Sequence, residues 1–416
     1  MKKSHFKFTF KFKLFSLLFL SSIFSLNFAY SQATDTIKLM YYNALNFPGS
    51  TMETRLPHIK TIVQYAHPEI MVLNEMQEEY ACDSIINTIN SGSLKKYSRA
   101  EFVDGPDSDN ILIFDNSVFK LISQTEIPTA LRNISHYKLC YFPYSIKDSV
   151  FVNVFSAHLK ASDGTDNEKL RLAEVQLFTS YLQTLPKIEN VFFGGDLNFY
   201  EEEAAYVELT TNSTAPLIDV VGGGAWHDNS IFSSQHTQST RSTMFGGGAT
   251  GGLDDRFDFM VFSNDMILNQ NFIQYISNSY KPLGNDGLHL NKSIIYNTNT
   301  SVPADILNAL YNFSDHLPIV AEYIVTAPNN LGTSTISKKN RFSYFTNQQN
   351  HEIVVKIENP QKFDKIELYD LSGKLILEKS NLQNSETIQL NSFQKGMYIL
   401  RFKSTNETSS FKIVKM

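Results

Sequence analysis

A layered α/β sandwich followed by a small all-β unit is the architecture predicted for this chain. Apolar runs of strand length alternate with helical patterns between residues 37 and 325. A stretch rich in Asn, Ser, Thr and Lys, with a Pro and a Gly, interrupts them at 326–341. Beyond it only short alternating runs remain, separated by turn residues. With 416 residues, 42% hydrophobic and 19% charged, two folded units are expected. The division is an export signal at 1–33, a main domain at 34–325, a linker at 326–341 and a C-terminal unit at 342–416.

The amino terminus carries Lys2, Lys3, Lys7, Lys11 and Lys13, then an apolar run over 14–28, then Ala29-Tyr30-Ser31-Gln32-Ala33. That is the pattern of a cleaved secretory signal, and the run is shorter than the roughly 20 residues a spanning helix needs. A secreted or cell-surface protein without a stable membrane span is expected. The only cysteines, Cys82 and Cys140, form one disulfide or stay as two buried thiols, with a slight lean to the thiols; neither sits in a metal-like cluster.

In the main domain, residues 37–42 form a strand ending at Asn43, and 52–66 place Leu56, Ile59, Ile62 and Val63 at helical spacing. Residues 69–73 form a buried strand that delivers Asn74 and Glu75. A strand over 149–155 runs into Ala157-His158-Leu159, and 167–185 reads as an amphipathic helix with Leu170, Ala173, Leu177, Tyr181 and Leu182 inward. The strand 191–193 runs into Gly194-Gly195-Asp196-Leu197-Asn198, the strand 257–262 carries Asp258, and Ser314-Asp315-His316-Leu317-Pro318 opens the strand 317–325. Strands recur too often, and helices too unevenly, for eight equal βα units, which favours layers over a barrel.

Polar residues thus gather at strand ends, and their types suit metal-assisted phosphodiester hydrolysis. That reaction needs a hard cation on phosphate oxygens, an activated water and help for the leaving oxygen. Glu75 is the first metal candidate, with Asn43 and Asp315 as further oxygen donors, and oxygen ligands suit Mg²⁺ or Mn²⁺, with Ca²⁺ as an accessory ion. His158 and His316 are the proton-handling candidates, Asp258 orients His316, Asp196 aligns or deprotonates water, and Asn198 donates to a phosphate oxygen. Each piece alone is weak; together, in one order and at strand ends, they are strong.

These blocks, with Tyr42-Asn43 and Arg256-Phe257-Asp258-Phe259, resemble the endonuclease/exonuclease/phosphatase superfamily. The resemblance implies a four-layer α/β sandwich with two central mixed β-sheets, a metal at Glu75, a His316–Asp258 pair, Asp196 with Asn198 at the phosphate, and His158 on the phosphate or leaving group. Asn74 stands where that family commonly has Gln, and Leu45 where some repair endonucleases carry a further metal-binding Asp. Two loops bear on substrate choice. One, at 238–256, holds Arg241 and the run Gly246-Gly247-Gly248-Ala249-Thr250-Gly251-Gly252; the other, an insertion at 273–313, holds Asn285 and His289. Arg241 and Asn285 are the candidate substrate contacts. Glu201-Glu202-Glu203 reads as the acidic start of a helix, and Asp254 and Asp255 as surface charge.

The C-terminal unit resembles the type IX secretion sorting domain of Bacteroidetes. The resemblance rests on Asn359-Pro360, on Leu368-Tyr369-Asp370-Leu371-Ser372-Gly373-Lys374, on Lys395-Gly396-Met397-Tyr398 and on the closing Lys412-Ile413-Val414-Lys415-Met416. The usual Pro-Asn-Pro near its start is absent, and an appended carbohydrate-binding sandwich is the rival reading. The resemblance implies type IX machinery as a partner. The net charge of −6 excludes bulk electrostatic binding of nucleic acid. An exported metal-dependent nuclease acting on DNA or RNA is expected, ahead of a lipid or small-molecule phosphoesterase and of a non-catalytic binding protein. No membrane-seeking loop is apparent.

Overall fold

The computed structural model describes residues 34–93, 95–142, 150–326, 342–347, 352–357, 364–370, 373–404 and 408–415. The export signal and nearly all of the linker lie outside them.

Two mixed sheets face each other in the main domain. The first has the strand order β11 (Ile273–Tyr275), β13 (Ile319–Thr326), β1 (Thr34–Phe47), β2 (Ile70–Met76), β4 (Asp109–Asp115) and β3 (Tyr97–Arg99), with β12 (Lys281–Pro282) also on β13. The second runs β5 (Phe119–Ile127), β6 (Ile134–Tyr141), β7 (Val150–His158), β8 (Val191–Asp196), β10 (Asp258–Ser263) and β9 (Leu217–Ile218).

Side-chain alternation builds the layers. On β8 and β10, Phe192, Met260 and Phe262 enter the core shared with the first sheet, whereas Val191, Phe193, Phe259 and Val261 face the opposite way into a second core. That second core is closed by α3 (Thr165–Leu182) and α4 (Ala204–Val207). The first sheet is covered by α1 (Met52–Ala66), α2 (Glu79–Asn90) and α5 (Ala304–Phe313). Helices, sheet, sheet and helices make the four layers.

Three expectations change here. The inner face of α3 is Arg171, Glu174, Val175, Phe178 and Leu182, while Leu170 and Leu177 are exposed. The stripe was misplaced because its first inward residue is charged: Arg171 donates through Nε (2.6 Å) and Nη2 (2.8 Å) to Glu203. Glu203 is therefore half of a buried ion pair, not a dipole-stabilising surface acid, and its side chain makes no cap hydrogen bond to α4. The segment 273–313 is no plain loop either, since it supplies β11, β12 and α5.

The C-terminal unit has a three-stranded sheet, β14 (Phe342–Asn347), β15 (Glu352–Ile357) and β18 (Ser385–Gln389). Its partner is a four-stranded sheet, β17 (Leu375–Ser380), β16 (Lys365–Asp370), β19 (Gly396–Lys403) and β20 (Thr408–Lys415). Ile353, Val355 and Ile388 from one sheet share a core with Ile366, Leu368, Leu400 and Phe402 from the other. Asn359, Pro360, Leu371, Ser372 and Met416 lie outside the described residues. Among the described residues, no helix is long and apolar enough to cross a membrane.

Candidate active site

Strand register brings the polar strand ends together. In the second sheet His158 pairs with Asp196 across the parallel β7–β8 ladder, and Asp258 pairs with Asp196 across β10–β8. In the first sheet Asn43 pairs with Asn74 on β2. Just beyond, both β1 and β2 slip register, between Asn43 and Phe47 and between Leu73 and Met76. Such bulges re-aim side chains next to sites. Leu45, Asn46, Glu75 and Asn198 all have positive φ, from 46° to 60°, a conformation costly for non-glycine residues and concentrated where the backbone is over-determined.

Glu75, His158 and Asp196 converge so that one ligand atom from each lies within 4.8 Å of the others. His158 Nδ1 is 3.8 Å from Glu75 Oε1, and its Nε2 is 3.5 Å from Asp196 Oδ2. Asn43 differs from the expectation of an oxygen ligand. Its amide nitrogen donates to Glu75 Oε1 (2.8 Å) and Asp196 Oδ2 (2.9 Å), while its oxygen accepts from Leu45 N–H (2.8 Å). Two neighbouring carboxylates need a donor between them, and Asn43 is that donor. Glu75 Oε2 also accepts from Asn46 N–H at 2.7 Å.

His316 Nδ1 lies 2.8 Å from Asp258 Oδ2, and its Nε2 is 3.7 Å from Asp196 Oδ2. Ser314 Oγ donates to Asn43 O (2.7 Å) and accepts from His316 N (3.1 Å), tying the end of β1 to the approach to β13 within the first sheet. Asp315 receives Ala249 N–H (2.6 Å) and Gln238 Nε2 (3.2 Å) on Oδ2, which leaves only Oδ1 for any further ligand. Asn198 Nδ2 donates to Leu159 O at 3.3 Å.

The electrostatics follow from burial and crowding. Burial pushes Asp196 up to about 7; His316 pulls against it, Asp258 and Glu75 push with it, and the Asn43 amide offsets part of the rise. Burial holds His158 well below the usual imidazole range, helped by Arg132 and His316. For His316 burial also opposes charge, yet the carboxylates of Asp258, Asp315 and Asp196 outweigh it and raise the ring. His158 Nδ1, Asp196 Oδ1, Asp258 Oδ1 and Asp315 Oδ1 are buried without a hydrogen-bond partner. Orphaned acceptors beside clustered carboxylates are the setting in which a divalent cation fits.

The two candidate substrate contacts differ. Arg241 is buried with its guanidinium between Phe245 (4.2 Å) and Tyr311 (4.3 Å), its Nε and Nη2 have no hydrogen-bond partner, and Asp315 is near enough to act on its charge. Asn285 spends both amide hydrogens on Ser233 O and His236 O (2.8 Å each) and its oxygen on Gly287 N–H, which makes it a loop staple. Asp255 is no plain surface charge: it is buried and holds His227 Nδ1 at 2.5 Å.

Three framing residues were not foreseen. Arg55 on α1 donates to the carbonyls of Ala44, Leu45 and Phe313, clamping the segments that carry Asn43 and Ser314. Its signal was a charge inside the apolar stripe of Ile59 and Ile62. Arg132 neighbours His158, is held by Asp107 at 2.8 Å and keeps a buried, unpartnered Nε. Gln238 reaches His316 Nε2 at 2.6 Å, and nothing in an irregular loop announced it.

Residues 347–416 match the secretion system C-terminal sorting domain, in agreement with export to the surface or medium. No curated protein matches the chain. Among solved structures, D. rerio TDP2 complexed with a single-strand DNA product is 14% identical over 70% of this chain and 99% of its own, with a TM-score of 0.45. An endonuclease/exonuclease/phosphatase family protein from Bacteroides thetaiotaomicron is 12% identical over 71% and 97%, at 0.45. A mannosyl-6-phosphatase from B. thetaiotaomicron VPI-5482 is 13% identical over 69% and 99%, at 0.44. At such identities and TM-scores the likeness carries no statement about substrate.

Proposed function

We propose that the protein is an exported, divalent-metal-dependent phosphodiesterase whose substrate is extracellular DNA or RNA. The observation that carries this reading is the convergence of Glu75, His158 and Asp196 beside the His316–Asp258 pair, with buried acceptor atoms left open. Glu75 and Asp196 would hold Mg²⁺ or Mn²⁺, with the neutral imidazole of His158 as a further donor. When bound, such an ion polarises a phosphoryl oxygen and acidifies a coordinated water. Asn43 keeps the two carboxylates side by side. His316, held on Asp258 through Nδ1, faces Asp196 with Nε2 and moves a proton at that atom or donates to a phosphoryl oxygen. Arg132 supplies positive charge next to His158 in a chain whose net charge is otherwise negative.

A lipid-headgroup phosphodiesterase is the second reading, favoured by one observation. Ile231, Met244 and Leu288 are each more than two-thirds exposed on loops of this domain, and Ser233 Oγ ties the loop of Ile231 to that of Leu288 through Gly287 O (2.8 Å). Exposed aliphatic side chains on joined loops suit an interfacial contact.

Hydrolysis by the full chain separates the two, with Mg²⁺ or Mn²⁺, against plasmid DNA, RNA, sphingomyelin vesicles and bis-p-nitrophenyl phosphate, with Glu75→Ala as control. Metal-dependent loss of plasmid or RNA that disappears in the control supports the nuclease. Cleavage confined to vesicles moves the assignment to lipid. Undiminished activity in excess chelator overturns the metal reading for both.

A further inference from the structure

The bulge that delivers Glu75 sets two residues of β2 against one of β4. Leu73 pairs with Ile111 and Met76 with Asp109, so Asn74 and Glu75 together oppose Asn110. Glu75 takes up the extra length in a left-handed backbone conformation, φ 60°. A two-against-one bulge turns its extra residue out of the ladder, and a strand held only by backbone pairing can slip back into register. Asn110 is the residue placed to prevent that slip.

Its side chain meets the bulge in the interior, where the two sheets face each other; Asn110 and Asn74 are both buried. Asn74 Nδ2 donates to Asn110 Oδ1 at 2.6 Å and to Ser156 Oγ at 3.0 Å. Asn110 Nδ2 donates to Asn133 O (2.9 Å), Ser135 Oγ (3.2 Å) and Ser156 O (3.3 Å), and Asp196 N donates to Asn74 Oδ1 at 3.3 Å. Peptide groups at both ends therefore fix which way the amides point. The carbonyls of Asn133 and Ser156 only accept, which turns the Asn110 nitrogen toward the second sheet. The Asp196 N–H only donates, which turns the Asn74 oxygen toward β8. One donor is left facing one acceptor in the middle. The fit is close, since a Cβ on Gly195, at φ 123°, would lie 2.8 Å from Asn74 Oδ1.

Glu75 and Asp196 come from different sheets, yet both are tied to this amide pair, Glu75 as the residue after Asn74 and Asp196 through its own N–H. We propose that Asn110 is a positioning residue: through Asn74 it pins the β2 bulge and so sets the spacing of the Glu75 and Asp196 carboxylates for a divalent cation. Asn43 joins the same two carboxylates from the site side, at 2.8 and 2.9 Å, so the spacing is held from two directions.

That the spacing serves a cation rests on the phosphodiesterase reading; the pinning of the bulge does not. The test therefore has two parts. In metal-free crystals of the full chain, Asn110→Ala should release Glu75 from its left-handed conformation and let its carboxylate move away from Asp196. A Glu75 that superimposes on the parent would overturn the proposal. Titration of the full chain with Mn²⁺, without substrate, is the second part. Asn110→Ala and Asn74→Ala should each weaken Mn²⁺ binding roughly 10- to 100-fold, the usual effect of losing a partner that orients a metal ligand. The double variant should bind no more weakly than the poorer single one, because the two amides act in one chain of contacts. Ser135→Ala, which removes a partner of Asn110 on the side away from Asn74, should keep the parent affinity. Losses that add in the double variant, or parent affinity in a folded Asn110 variant, would also overturn the proposal. If Asn110→Ala does not fold, Asn110→Ser and Asn74→Ala carry both measurements. A parent that binds no Mn²⁺, with Glu75 displaced in the variant, would leave the bulge role standing and remove the metal reading instead.

Discussion

Two buried histidines lie on neighbouring strands of the second sheet, and only one of them is complete. His136 on β6 has Tyr181 Oη at 3.0 Å from Nδ1 and Asn153 Oδ1 at 3.1 Å from Nε2, and it stacks on Phe155 at 4.1 Å. His158 on β7 leaves Nδ1 without a partner and faces two carboxylates beyond hydrogen-bond distance. The arginines repeat the contrast. Arg171 uses Nε and Nη2 on Glu203 and Nη1 on the carbonyls of Lys160 and Ser162. By contrast, the Nε and Nη2 of Arg241, near Asp315, stay open. Burying a polar group without a partner costs stability, so the layer under α3 is built for stability, whereas the strand-end cluster carries costs that the proposed chemistry would account for.

The largest effect should come from breaking the incomplete side. His316→Ala and Asp196→Asn are each expected to lower kcat by roughly 10²- to 10⁴-fold, the usual worth of a positioned acid or base. His316→Ala should also lower the melting temperature of the full chain, because it strands the buried Asp258 carboxylate. Asp196→Asn should raise it, because it removes one of several crowded, buried carboxylates. A melting temperature of Asp196→Asn that falls by many degrees, or turnover near the parent rate in either variant, would erase the distinction between the two regions.

The complete side should answer in stability and not in chemistry. Arg171→Met strands the Glu203 carboxylate in the second core and should cost about 3–5 kcal/mol in denaturant unfolding. Replacing both partners, as in Arg171→Met with Glu203→Leu, should recover most of that loss, since the penalty is the unpaired charge. If the double variant is as unstable as the single one, the pair contributes more than mutual neutralisation.

His136 sharpens the comparison through pH. Burial depresses its pKa to about 4, partly offset by Asn153, against an ordinary 6.5. The unfolded chain therefore takes the proton first as pH falls. The stabilisation is full above 6.5, declines below it and is gone once pH passes below about 4, a loss of up to about 3 kcal/mol at 1.36 kcal/mol per unit. Unfolding at pH 7.5 and 4.5 should show this sensitivity in the parent and less of it in His136→Phe. Equal sensitivity in both would assign the acid loss to other groups.

How much of this was legible in sequence depended on whether the signal was contiguous. Asp196 and Asn198 share one short block at the end of an apolar run, Asp315 and His316 another at the start of one, and each run fixes a strand end. The two sheets followed from the same runs. Gln238 was invisible because its contacts come from backbone pairing with Asp255 and His316, residues distant in sequence within an irregular segment. The inner face of α3 was misread because Arg171 and Glu174 occupy its stripe, and burial of a charge is set by a partner that periodicity does not reveal. Asn43 was rightly singled out by its strand end, but which end of its amide faces the carboxylates is decided by Leu45 N–H.

The smallest expected effect concerns the two cysteines, which belong to the quiet part of the molecule. Cys82 on α2 and Cys140 on β6 are both buried free thiols, so no disulfide joins them. Burial pushes the Cys82 thiol up to about 12, which leaves almost no thiolate at neutral pH. In the folded chain Cys82 should stay unlabelled by a thiol reagent and label only after denaturant is added. Replacing it with Ala should shift stability by roughly 1 kcal/mol, the cost of a small apolar truncation, and leave hydrolysis unchanged. Rapid labelling of native Cys82 would mean that the helical layer over the first sheet opens readily, and the division between a quiet, satisfied framework and an open catalytic edge would then fail on the framework side.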